Sequence, residues 1–196
     1  MQGKPSSFVR PRRTADGQRK LKNMPIQKII LLIINIIGGI AVIGSYVWGL
    51  KAGAGGANAL WGGTPASVKP IYTVSMLISA LGYFAFIYFI LFRLDIAELK
   101  PGFWIFYIIF LGILGASTFW MPLTNIFLTS PGTTLWMGIR AVLAIVGLSS
   151  CVLAGVLISL HAKETGLAYW LAVAGSAYFA FHTTVLDALI WPVLFR

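Results

Sequence analysis

Ile29-Ile30-Leu31-Leu32-Ile33-Ile34 opens an apolar run that reaches Leu50 without a single charged residue. A helix needs roughly 20 mostly apolar residues, at about 1.5 Å each, to cross a hydrocarbon core about 30 Å thick. A membrane strand would instead alternate polar and apolar residues over about 10 positions. This run is continuous, so it reads as a transmembrane helix.

Working outward, four further runs of the same kind follow. The spans fall at residues 29–50, 72–92, 103–128, 135–160 and 167–194. The predicted fold is therefore all-α, a polytopic transmembrane bundle of five spans. Residues 1–28 form a basic tail, and residues 29–196 form the five-helix transmembrane domain. Composition agrees, because only 10% of the 196 residues are charged, against about 25% in a soluble domain.

The net charge of +10 is concentrated at the start of the chain. Lys4, Arg10, Arg12, Arg13, Arg19, Lys20, Lys22 and Lys28 precede the first span, against one acid, Asp16. No aromatic interleaving or RNA-binding signature accompanies them, which argues against nucleic acid. Positive residues near span ends stay cytoplasmic. With the N-terminus inside, eleven cations lie inside and three outside, so the C-terminus is expected on the opposite side. The tail is then expected to meet anionic lipid headgroups at about 1 kcal/mol per cation. The first run exceeds the 7–15 residues of a secretory h-region, so it is read as an uncleaved signal anchor.

Small residues at four-residue spacing predict packing seams. The longest is Ala168, Ala172, Ser176, Ala180, Thr184 and Ala188 in the fifth span. Cys151 in the fourth is read as a small packing residue and offers no disulfide partner.

Only Arg140, His182 and Asp187 are readily ionisable within the spans. Arg140 lies about 8 Å below the outer end of its span, and Asp187 about 10 Å below the same face. Charges inside a membrane usually pair, so an Arg140–Asp187 ion pair is expected. His182, five residues from Asp187, would lie about 140° away on an α-helix, a poor geometry for coupling. Trp120, Pro122 and Asn125 enrich the same layer from the third span, with Trp136 nearby and Thr183 on the face of Asp187. Arg140, Asp187, Trp120, Asn125, Thr183, His182 and Trp136 are thus the candidate ligand-binding residues, in a pocket near the outer leaflet.

Two functions fit this layer. One is non-catalytic binding or transport of an apolar or amphipathic small molecule. The other is a structural or assembly role among membrane-protein partners. An enzyme is poorly supported. No acid pair shares a span, no His cluster could hold a metal, and no Ser–His pair has helical spacing. The sequence identifies no cofactor, and it does not say which membrane is crossed.

Overall fold

The computed structural model describes residues 24–52, 56–99, 102–160 and 166–195. Within them the only regular structure is helical. Five helices are long and apolar enough to cross a membrane. They are α1 (Ile26–Ala52), α2 (Lys69–Phe92), α3 (Trp104–Thr129), α4 (Thr133–Ser159) and α5 (Leu167–Phe195). Each overlaps its predicted span to within three residues at either end. The tail cations up to Lys22, together with Lys100, His161, Lys163 and Arg196, lie outside the described residues.

The connections follow from local chemistry. Pro70 stands in the first turn of α2, where its missing N–H leaves no hydrogen bond unmade. Between α2 and α3, the Asp95 carboxylate accepts the N–H of Ala97 at 3.0 Å and caps a short 3-10 turn. Pro131-Gly132 separates α3 from α4.

Close backbone approach sets the packing. Gly82 of α2 and Gly175 of α5 meet so tightly that a Cβ on Gly82 would lie 2.6 Å from the Gly175 carbonyl oxygen. Along α4 and α5, the Thr184 hydroxyl donates to the Gly147 carbonyl at 3.2 Å, and Cys151 Sγ lies 3.4 Å from the same hydroxyl. The Thr184 contact lies on the seam that the small residues predict, whereas the Gly82–Gly175 contact lies outside the predicted stripes. Ala172 and Ser176 within the long stripe are wholly buried.

α1 stands apart from this arrangement. It leans on α3 through Gly38, which abuts Leu114, and through Gly49, which abuts Met121 and Asn125. It only grazes α2. Lys28, placed in the basic tail by its sequence, lies within the first turn of α1. Its Nζ is buried and donates to the Leu94 carbonyl at 2.6 Å.

Two clusters occupy opposite ends of the bundle. Phe86, Phe89, Phe106, Phe110 and Tyr169 pack near the Lys28 end. Tyr72, Trp136, Ile139, Trp191 and Phe195 pack at the other. The gap left where α1 only grazes α2 runs between them.

Candidate functional site

That gap is a chamber of about 870 Å³, at the upper end of ordinary small-molecule pockets. One wall is the α1 stripe Leu32, Ile36, Gly39, Ile43, Tyr46 and Leu50. Those positions recur every three or four residues and so share one helix face. The facing wall comes from α2, through Tyr72, Met76, Ala80, Tyr83 and Phe84. The floor is built by α3, α4 and α5, through residues such as Leu114, Val146 and Phe179.

The loop after α1 closes one end. Leu60 and Trp61 line the chamber there. The Leu60 carbonyl accepts the Trp191 indole N–H at 3.2 Å, and the Gly63 N–H donates to the Phe195 carbonyl at 3.3 Å. Gly62 makes this fit possible. Its φ is +51°, and a side chain there would run into the Phe195 carbonyl.

Polar groups gather at this closed end. The reason lies in α5, which is π-helical from His182 to Ile190. A π turn pairs residue i with i+5, as the Trp191 N–H does with the Leu186 carbonyl. Residues five apart therefore come onto one face. His182 Nε2 lies 3.6 Å from Asp187 Oδ2, the only ion-pair geometry among the described residues. This corrects the α-helical expectation that the two side chains diverge. The Thr183 hydroxyl donates to the Phe179 carbonyl at 2.9 Å, satisfying backbone that the wider turn disturbs. The Tyr72 hydroxyl of the neighbouring α2 donates to the Leu186 carbonyl at 2.8 Å.

The expected Arg140–Asp187 ion pair does not form. Arg140 is exposed on α4 and does not line the chamber. Its long side chain can reach the headgroup layer while its stem stays in hydrocarbon. Asp187 lines the chamber, with 34% of its side chain exposed there. Of the other expected residues, Trp120, Thr183 and His182 also line it. Asn125 instead ties α3 to α1, donating to the Gly49 carbonyl at 3.4 Å. Trp136 stacks on Phe195 with ring centroids 5.8 Å apart and lies behind the chamber wall.

Several lining residues escape a reading of the sequence alone. Tyr46 packs on Trp120 at 5.6 Å, and Trp120 meets Trp191 edge-on at 5.6 Å. Trp61 meets Tyr72 edge-on at 6.0 Å. These rings and Asp187 line the same chamber. The Trp120 Nε1–H is enclosed and has no hydrogen-bond partner. Midway along the cleft, the Tyr83 hydroxyl donates to Asn35 Oδ1. The α1 stripe was the available signal, since Asn35 is the one strongly polar side chain in an otherwise apolar run.

Ser75 of α2 adds a feature that helical spacing within one span could not reveal. Its Oγ lies 2.9 Å from His182 Nδ1 and 3.0 Å from the Tyr178 hydroxyl. Serine, histidine and aspartate thus stand in the order of a nucleophile, base and orienting acid. The surroundings differ from those of a nucleophile. Ser75 is 4% exposed. It borders a separate shallow groove with Pro70, Ile71 and Tyr178 and does not line the chamber. The arrangement is a hydrogen-bonded relay that fixes the His182 ring and aims Nε2 at Asp187. Among the described residues, no group of three metal-ligating side chains exists.

Neither a protein-family model, nor a curated protein, nor a solved structure is found to match the chain.

Proposed function

We propose that this chain is a multi-pass membrane protein that binds or carries an apolar or amphipathic small molecule in the chamber between α1 and α2. The observation that supports this most is the chamber's polarity gradient. Its length is lined by Leu, Ile, Val and Phe, and its closed end by Asp187, His182, Trp120 and Tyr46. An apolar tail would lie along the cleft, replacing lipid contacts at little cost. A polar head would reach the closed end, beside Asp187 and His182.

Gly39 offers a direct test. A Cβ at this position meets nothing within 4 Å, and the residue lines the chamber. Gly39→Phe is expected to fold normally and fill the cleft. A panel of a sterol, an isoprenoid alcohol and a long-chain alkylamine should stabilise the natural chain, by about 2.7 kcal/mol at a hundredfold excess over Kd. The variant should show no such gain in thermal unfolding. Equal stabilisation of both chains would place the ligands elsewhere.

By the charge asymmetry, the N-terminus is cytoplasmic and the closed end of the chamber faces the outer leaflet. The tail then rests on anionic headgroups. In a Cys151→Ala background, Ser130→Cys should react with an impermeant thiol reagent in intact cells. Labelling of Glu98→Cys instead would invert the bundle.

The assembly reading keeps one supporting observation. α1 is the least buried of the five helices, with Ile33, Ile37 and Ile40 exposed and not lining the chamber. A partner helix could cover them. Native mass spectrometry from mild detergent separates the two readings, because a subunit retains protein partners and a binder retains a small molecule.

A further inference from the structure

We infer that the head of the chamber's occupant is a cation, an alkylammonium carried on an apolar chain. This rests on the chamber being a small-molecule site and adds the charge of its ligand. Asp187 is the only acidic residue lining the chamber, and no lysine or arginine lines it among the described residues. Arg140, the expected counter-charge, is exposed elsewhere. The nearest basic group, His182, stands 3.6 Å away and is already held by Ser75. A carboxylate in such surroundings favours an incoming positive charge and disfavours a phosphate or carboxylate head. The rings add a second, independent preference. Tyr46, Trp120 and Trp191 form a contiguous aromatic group that lines the chamber with Asp187, while the Trp61 ring already lies under the Lys69 ammonium at 5.9 Å. Aromatic faces attract cations and suit bulky, weakly hydrated ammonium groups best. The apolar cleft beyond them accommodates the chain of the same molecule.

The test uses the full chain in maltoside detergent and three probes that share one dodecyl chain. Dodecyltrimethylammonium carries the cation, its tert-butyl isostere carries the same shape without charge, and dodecanoate carries an anion. Quenching of tryptophan fluorescence reports binding, because Trp61, Trp120 and Trp191 line the site. The cation should bind about tenfold tighter than either other probe. Asp187→Asn should erase that preference, so that the cation and its uncharged isostere bind alike. If Asp187→Asn does not fold, Tyr46→Leu decides, and it should weaken the cation selectively. Equal affinity for all three probes, or a preference that survives in whichever variant folds, overturns the cationic head and leaves the chamber reading standing. Failure of every probe to bind removes both.

Discussion

Gly82→Val should prevent the bundle from assembling. A Cβ at Gly82 would sit 2.6 Å from the Gly175 carbonyl oxygen and 3.0 Å from its Cα. The obstacle is backbone, so no rotamer change relieves it. α2 and α5 would have to separate, and they form one of the two most extensive helix–helix contacts among the described residues. Close approach of this kind is what holds helices together in lipid, where apolar burial contributes little. Overpacking typically costs about 1–3 kcal/mol, and two branched methyl groups at a backbone contact belong at the top of that range or above it. The expected readout is loss of the monodisperse species in size-exclusion chromatography. Gly44→Ala is the control, since nothing lies within 4 Å of a Cβ there. It should be neutral or slightly stabilising, by up to about 1 kcal/mol, through helix propensity. A well-folded Gly82→Val protein would mean that α2 and α5 do not meet at these glycines.

The second large effect belongs to His182. Its ring joins Ser75 on one side to Asp187 on the other. His182→Ala removes the group that Asp187 faces, while Ser75 keeps the Tyr178 hydroxyl at 3.0 Å. Leaving buried polar groups unpaired costs about 1–3 kcal/mol. A double-mutant cycle of His182→Ala with Asp187→Asn should show a coupling of about 0.5–3 kcal/mol, as for residues in contact. The parallel cycle of Arg140→Ala with Asp187→Asn should be additive to within about 0.5 kcal/mol. Steric trapping or unfolding in mixed micelles supplies the free energies. A large Arg140 coupling with none for His182 would restore the ion pair that matched depth suggested, and would refute the π-helical geometry.

These two pairings show how far the sequence could be read. Height was legible for Asp187 and Trp120, which line the same chamber, because position along a span converts directly to height. Azimuth was not. Ideal 3.6-residue periodicity turned His182 away from Asp187, and a π-helical stretch turned it back. Its length of nine residues has no periodic signature. The 29-residue length of α5, several residues beyond what a bilayer needs, was the only hint that the helix deviates. Likewise the stripe of Ala172, Ser176 and Ala180 marked a seam correctly, yet nothing in it named α2 as the partner of Gly175.

By itself, then, the sequence determined that the regular structure is helical, that five helices are long and apolar enough to cross a membrane, and where each begins and ends. Those properties depend on local hydrophobicity and length, which every residue carries with it. The tertiary structure decided that α1 leans on α3 and leaves a cleft against α2, that Asp187 faces His182, and that Arg140 stands outside. Those properties depend on which helix faces meet. In lipid that choice is made by a few close backbone contacts and hydrogen bonds between residues far apart in the chain, and hydrophobic patterning is nearly silent about them.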